Sequence, residues 1–319
     1  MSTRTVGSMA RAFALVFVSS LLMTGKTYAA TDWSAIQSAL KADGSLMPGN
    51  VLRFELDRKD LTVSVNGQAL NPFEAQVANG FVAFKQIRNN WFFADGSLPA
   101  QESELPAVQT TLRLNTHIRI TAITSRVINE SPALIWVHFE AAGNGANLAA
   151  SVAAALAILH NPQSVAVIPG TNTVLDPSSI LPPNFLKLFD EGHIEVLQNV
   201  FAFYLPRPDE NRIFVDGVKS KAGLGIGQSF YIQVSVTGGT TASMDIDFAL
   251  RAEEVQVAED TLRAGGFSVT SQSSWYDDEE PRLYFVHATG SGDGFTLGNT
   301  LYAVIQIIQA DSHPFIDYF

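Results

Sequence analysis

The sequence has no cysteine among its 319 residues. That excludes a disulfide scaffold, a thiol nucleophile, a thiolate zinc site and an iron–sulfur cluster held by cysteine. Positive charge is scarce as well: 20 lysines and arginines stand against 31 aspartates and glutamates, a formal charge of -11. Such a chain has no basic footprint with which to release counterions, so nucleic acid and anionic membrane surfaces are excluded as main partners. Charged residues are 16% and hydrophobic ones 46%, enough apolar surface to bury a core rather than stay disordered. G-x-S-x-G and H-E-x-x-H are absent, no paired catalytic carboxylates stand out, and no Ser/His/Asp set can be assigned. The sequence therefore names no nucleophile.

The one long apolar run is at the start. Arg4 and Arg11 precede Ala12 to Met23, and Thr27-Tyr28-Ala29 follows with small residues at the -3 and -1 positions. This is the pattern of a signal peptide over 1–29, too short to span a bilayer comfortably. Cleavage after Ala29 is expected, leaving an exported chain, periplasmic or secreted, with no integral span. With no cysteine at the cleavage site it is not a lipoprotein.

The rest is written twice. Asn50-Val51-Leu52-Arg53-Phe54-Glu55-Leu56-Asp57-Arg58-Lys59-Asp60 returns as Asn199-Val200-Phe201-Ala202-Phe203-Tyr204-Leu205-Pro206-Arg207-Pro208-Asp209. Val65-Asn66-Gly67 returns as Val215-Asp216-Gly217, and Thr111-Leu112-Arg113 as Thr261-Leu262-Arg263. Glu130-Ser131-Pro132 with His138 returns as Glu279-Glu280-Pro281 with His287. The offset holds at 149 or 150 throughout, the mark of a tandem duplication. The organisation is then a signal peptide over 1–29, a first unit over 30–160, a proline-rich connection over 161–194 and a second unit over 195–319.

Each unit opens with an alternating strand, Leu52/Phe54/Leu56 or Phe201/Phe203/Leu205, and continues past an Asn-Gly or Asp-Gly hairpin turn. Trp91 to Leu98, or Ser243 to Leu250, is a strand entering a helix. Leu105, Val108 and Leu112, or Val255, Ala258 and Leu262, form that helix's apolar stripe. Strands over Ile118 to Ile123 and Ala133 to Phe139 match Phe267 to Gln272 and Leu283 to Ala288. Helices near Ala146 to Leu159 and Phe295 to Ile308 close the units. Ahead of the first unit, Asp32 can cap a short helix carrying Trp33, Ile36 and Leu40. The predicted class is α+β: a duplicated ferredoxin-like βαββα unit with extra leading β-strands. Pro162 to Pro183 is expected to be irregular.

The leading helix, the Phe54-x-Leu56-x-Arg58-x-Asp60-Leu61 opening, the Val65-Asn66-Gly67 turn and Asp247-Phe248-Ala249-Leu250 with Glu253-Glu254-Val255 carry a resemblance. So does Glu-x-Pro followed by a strand ending in histidine. The chain resembles the bacterial extracytoplasmic family that includes the mycobacterial lipoproteins LppY and LpqO, a family of unassigned function, over nearly the whole mature length. The resemblance implies a His-Asn-His triplet after the first helix of a unit and a further histidine later. Here those positions hold Thr124-Ser125-Arg126, Ser273-Ser274-Trp275 and Ala142. Only His138 and His287 remain, a poor start for a transition-metal site that needs several converging ligands.

These residues frame two functions. The first is a non-catalytic ligand-binding or interaction protein with a degenerate histidine site and no cofactor. Its partner would be an unknown small molecule or an envelope protein, met in the cleft between units. Arg126 and Trp275 would stand on its rim, the first to grip a carboxylate or phosphate and the second to stack on a ring or sugar. His138 and His287 would be structural histidines or remnant ligands. The second is a metal-dependent enzyme using His138, His287 and nearby acids such as Glu140 and Asp277. Trp275-Tyr276-Asp277-Asp278-Glu279-Glu280 is read as a solvated connection rather than a calcium site, since its spacing fits no calcium loop. Gly290-Ser291-Gly292-Asp293-Gly294 and Gly143-Asn144-Gly145 are read as tight strand-to-helix turns rather than anion sites. Gly223, Gly225 and Gly227 are read as permitting close packing. The aromatic tail from Pro314 to Phe319 would dock onto the fold or a partner.

Overall fold

In the computed structural model the described residues are 31–58, 60–65, 68–69, 78–159, 176–189, 194–197, 200–224 and 228–311. The expected signal segment lies outside them. So do the Asn66-Gly67 turn, much of the proline-rich connection, Gly225, Gly227 and the aromatic tail.

The first repeat runs α1 (Ser34–Leu40), β1 (Ser45–Met47), β2 (Val51–Asp57), β3 (Ser64–Val65), β4 (Gln68–Ala69), β5 (Asn79–Arg88) and β6 (Trp91–Gln101). It continues with α2 (Leu105–Arg113), β7 (Ile118–Thr124), β8 (Glu130–Ser131), β9 (Leu134–Asn144) and α3 (Gly145–Ile158). A short α4 (Pro183–Leu186) leads into β10 (Ile194–Leu197), β11 (Val200–Pro206), β12 (Phe214–Val215), β13 (Val218–Lys219) and β14 (Gln228–Gly238). Then come β15 (Thr241–Leu250), α5 (Ala252–Ala264), β16 (Phe267–Ser273), β17 (Glu279–Glu280), β18 (Tyr284–Asp293) and α6 (Gly294–Asp311).

The duplication is literal in the sheets. One six-stranded sheet has the order β1-β2-β5-β6-β9-β7, the other β10-β11-β14-β15-β18-β16, and each repeat adds a three-stranded sheet. The fold is thus α+β and duplicated, as expected. Strands β6, β9 and β7 have the split arrangement of a ferredoxin-like unit. The neighbour on the far side of β6, however, is β5, its preceding hairpin partner. A ferredoxin-like unit would place there a strand that follows its second helix. The second strand differs from the expectation: directly after the Asn-Gly and Asp-Gly turns only two-residue strands form, and the long strands β5 and β14 lie further along the chain.

Side-chain alternation decides the layers. In β6, Phe92, Ala94, Leu98 and Ala100 join Val108 and Leu112 of α2 and Leu148, Val152 and Leu156 of α3 in one core. The second repeat builds the same core from Met244, Ile246, Phe248 and Leu250 of β15 under α5 and α6. Residues on the opposite faces, including Phe93, Ala249, Trp275, Tyr276 and Phe285, form a third core shared by both repeats. Both repeats belong to one compact unit, Asp32–Phe319. Each sheet is covered by helices on one side and by the other repeat on its inner side, which is why β6 is buried along nearly its whole length even though it carries Asp95 and Ser97. Gly96 is required in β6: a Cβ there would sit 2.3 Å from the Phe139 ring opposite. The described end of the proline-rich connection holds one short helical turn, Pro177–Ser179, before α4, and its Ile180 and Leu181 are buried in the second core with Phe185 and Phe189. Asp32 accepts from the Ser34 amide at 3.0 Å, although Trp33 stands at the N-cap. Among the described residues no helix is long and apolar enough to cross a membrane.

A buried arginine clamps the strand-to-helix corner of each repeat. Arg58 donates to both Glu104 oxygens at 2.8 and 3.0 Å, to Asp60 at 2.9 Å and to the Pro99 carbonyl. Arg207 repeats this with Glu254 at 2.7 and 2.8 Å, Asp209 at 2.8 Å and the Ala249 carbonyl. Glu104 and Glu254 also accept a backbone N–H at the start of their helices, from Gln101 and Arg251. Burial works against ionised Asp209, but the hydrogen bonds and charges of Arg207 and Arg251 prevail and hold its carboxyl below the ordinary range. Arg207 and Glu254 are both fully buried, so removing one leaves an uncompensated charge. Arg207→Met is expected to lower stability by about 3–5 kcal/mol in urea unfolding. Asp260→Ala, which breaks an exposed pair with Arg263, should change it by less than about 1 kcal/mol. Equal effects would rule out the clamp as what holds the corner.

Candidate functional site

Two arms cross between the repeats. The arm after β7 carries Arg126 onto the second repeat, and the equivalent arm after β16 carries Trp275 and Tyr276 onto the first. The Arg126 guanidinium lies 3.8 Å over the Trp136 ring and 4.9 Å from the Trp275 ring, with its Nη1 3.1 Å from Asp247. Trp275 stacks on Phe285 at 3.7 Å and on His138 at 4.4 Å. Its indole N–H donates to Ser273 at 3.0 Å. Tyr276 packs edge-on against Phe285 and donates its hydroxyl to Asp95 at 3.0 Å.

The two equivalent histidines are in opposite charge states. His138 is 3% exposed, with Ser97 3.1 Å from Nδ1 and Thr124 2.9 Å from Nε2. Burial, reinforced by the Arg126 charge, pushes its pKa well below the usual value, so the ring is neutral. His287 is 2% exposed, with Nε2 2.5 Å from Asp245 and Nδ1 2.7 Å from Thr270 Oγ1. The Thr270 hydroxyl donates to the Arg126 carbonyl at 2.6 Å, so His287 Nδ1–H must be the donor to Thr270, while the Asp245 contact requires a proton on Nε2. Burial opposes this imidazolium, but the charge and hydrogen bond of Asp245, with Asp247, raise its pKa.

Buried acids surround these rings. Burial pushes Asp95 up to about 8 against the Tyr276 hydrogen bond and the Arg53 charge. Burial, with Asp95 and Asp216 close by, also raises Glu140, even though Arg119 donates to it at 2.8 Å. Glu130 is pushed up to about 7, by burial first and Asp245 second, against the Leu134 amide, His287 and Arg126. Arg119 collects three acids, reaching Glu140, both Asp216 oxygens at 3.0 and 3.1 Å and Asp277 at 3.3 Å. Asp216 is placed there by its turn: φ is 49° at Asp216 and 71° at Gly217, the two positive values of a type I′ hairpin.

Of the residues the sequence singled out, Arg126, Trp275 and His138 meet in one stack, and His287 joins them through Thr270 and the Arg126 carbonyl. Asp277 stands apart, half-exposed beside Arg119. Arg126 and Trp275 do not stand on an open rim. Trp275 is buried and the Arg126 side chain is only 12% exposed, because the crossing arms press them between the sheets. The connection from Trp275 to Glu280 is not simply solvated: Trp275, Tyr276 and Glu279 are buried, and only Asp277, Asp278 and Glu280 are exposed. Both glycine-flanked turns enter their helices directly, capped by Asn144 and Asp293 side chains. Sequence reasoning missed Asp95, Ser97, Asp245, Asp247, Thr270 and Arg119. Acids at alternate positions of otherwise apolar strands, as in Asp245-x-Asp247, were the available signal. Among the described residues no group of three or more histidines and acids is placed to hold a metal ion.

Comparison with known proteins matches the chain twice to one family, described as Domain of Unknown Function (DUF1259), over residues 34–158 and 189–307. No curated protein matches. Among solved structures, EtuB from Clostridium kluyveri is similar at 9% identity and a TM-score of 0.20, over 84% of this chain and 91% of that one. The trimeric bacterial microcompartment shell protein PduB is similar at 12% identity and a TM-score of 0.21, over 83% and 90%. Likeness at that level carries no inference.

The histidines differ in a way solution NMR can read. His287 should stay protonated above about pH 6.5 and His138 neutral below it. A raised folded pKa gives stability that is present below the unfolded value of about 6.5 and fades as pH rises through the folded one. His287→Gln is therefore expected to remove part of the stability lost on the alkaline side. Two rings titrating together near the ordinary value would contradict the assignment.

Proposed function

The chain belongs to the Domain of Unknown Function (DUF1259) family, and from that premise we propose that it is an exported, non-catalytic ligand-binding or interaction protein whose site is the seam between the repeats. Export is supported by the basic, then apolar, then small-residue pattern over 1–29. The observation that carries the binding reading is hydrogen-bonding capacity left open in the seam. Arg126 Nε, Asp247 Oδ1 and Glu130 Oε1 are buried without a partner among the described residues, and the Arg126 guanidinium lies 4.9 Å from the Trp275 ring. Buried polar atoms are ordinarily paired, so these atoms suit a small polar molecule or a partner's side chain. Catalysis is the weaker reading, because His138 and His287 each engage both ring nitrogens and keep none for a substrate proton.

The test is native mass spectrometry of protein purified from the extracytoplasmic fraction, wild type beside Arg126→Ala/Trp275→Ala, with circular dichroism as the folding control. Wild type should carry a bound species that the folded double variant loses, each residue contributing about 1–2 kcal/mol. Retention by the variant would move the site elsewhere. A stoichiometric transition metal lost in His138→Ala would replace this proposal with the metal-dependent enzyme. A chain found in the cytoplasmic fraction would remove export.

A further inference from the structure

The chain has only seven lysines, and three of them gather where β5 and the β1–β2 turn of the first repeat meet β13 of the second. Lys85 stands on the inner face of β5, opposite Val51 of β2 and Phe93 of β6, both members of the shared core. Its ammonium crosses to the second repeat and donates to the Lys219 carbonyl at 2.8 Å. Lys221, two residues further on, lays its stem along the β1–β2 turn, where a Cβ on Gly49 would sit 2.7 Å from its Cδ and 3.3 Å from its Cε. Glycine is required at that turn twice over, by the close approach of Lys221 and by a φ of 81°.

No acid answers these three charges. Among the described residues the ion pairs are made by arginines and by His287. Glu55, on the inner face of β2, is taken by Arg53. Lys219 opposes Phe214, and Glu280 stands beyond that ring, two strand spacings or roughly 9–10 Å from Lys219. Burial first, then the charges of Lys221 and Lys219, hold the Lys85 ammonium below the ordinary lysine range. The scaffold does not need any of this. Where Lys85 pairs with Val51, the second repeat pairs Ser235 with Val200, and where Lys219 pairs with Phe214, the first repeat pairs Ala69 with Ser64. The same strands therefore form on uncharged residues.

We propose that Lys85, Lys219 and Lys221 form an anion site at the junction of the repeats, and that its ligand is a doubly charged oxyanion, a phosphate group. Each ammonium offers three donors, and among the described residues only Lys85 commits one, to the Lys219 carbonyl. Lysine meets phosphate as a point charge, whereas a planar carboxylate is better matched by the fork of arginine. A compact anion with two charges also neutralises most of the repulsion among three cations, which a single carboxylate does not. Three lysines in an acidic chain make a local site and not the broad basic footprint that nucleic acid or a lipid surface requires. None of the groups assigned to the ligand seam takes part, so this site stands or falls separately from that reading.

The experiment compares thermal unfolding of the full chain in inorganic phosphate and in chloride at matched ionic strength, for wild type and Lys85→Gln/Lys221→Gln. Lys187→Gln, which removes an exposed lysine just after α4, controls for the loss of one positive charge. Phosphate steadies most proteins by exclusion from their surface, so the signal is the excess over the double variant. Wild type and Lys187→Gln should each gain about 2–4 °C more in Tm than the double variant gains. An equal gain in all three overturns the site. Methyl phosphate in the same assay separates the two sources of a phosphate group: an undiminished excess admits an ester, and an excess with inorganic phosphate alone restricts the site to the free ion. Because the double variant can fail to fold, lysine titrations are also followed by NMR in wild type with and without phosphate. An anion beside Lys85 favours its charged form, so Lys85 should titrate at higher pH once phosphate is added while Lys187 stays in place. A Lys85 titration that phosphate leaves unmoved overturns the proposal independently.

Discussion

Each sheet has one apolar face and one face that carries charge, and the charged faces are pressed together. Burying an ionised side chain costs several kcal/mol unless a partner meets it in the dry interior. Every other feature follows from meeting that demand. Asp247 is met by Arg126, Asp245 by His287, and Glu140 by Arg119. The first of these partners arrives on the crossing arm of the other repeat, so neither inner face is complete alone. The aromatic arm does the same work without charge, Tyr276 answering Asp95 with a hydroxyl while Trp275 covers His138.

Duplication made the halves alike, and a few substitutions made them complementary. Where the second repeat has Asp247 beside its histidine, the first has Ser97. Where the first arm brings a cation, the second brings an indole. The consequence is electrostatic: His287 between two aspartates is held charged, while His138 between hydroxyls, an indole and the Arg126 guanidinium is held neutral. A charged ring at His138 would compete with Arg126 for the same aromatic faces, and its two nitrogens meet the hydroxyls of Ser97 and Thr124 rather than a carboxylate. The asymmetry is the condition under which both arms can lie down at once.

Much of the scaffold was legible in the sequence, because it follows from local periodicity. The stripe of Val108 and Leu112, its counterpart in Ala258 and Leu262, and the closing helices all fall where apolar spacing puts them. Strand β5 was not, since it is buried on both faces and Phe81-Val82-Ala83-Phe84 lacks the alternation that marks a half-exposed strand; β14, whose Phe230, Ile232, Val234 and Val236 do alternate, carried a signal that could have been read. The site was legible in part. Arg126 and Trp275 stood out because the resemblance read from the sequence would put a histidine triplet at their positions. Their acid partners did not, because they depend on cross-strand register. Register shifts by a bulge between Ile120 and Ala122, and again between Val269 and Ser271. One extra residue there decides which side chains face His138 and His287, and no spacing rule along the chain reveals it.

That dependence on register also decides what the residues on the two arms meet. Arg126 and Trp275 each project from an arm just beyond a bulged edge strand, toward the inner face of the opposite repeat. Any residue placed there must satisfy what it lands on. Arg126 lands on Asp247 and two indole faces, and Trp275 lands on a neutral imidazole and Phe285. Both outcomes join the repeats through the same position, one by charge and one by stacking. The position's constant property is thus its reach across the seam, and the chemistry at its tip is what differs between the two halves of this chain.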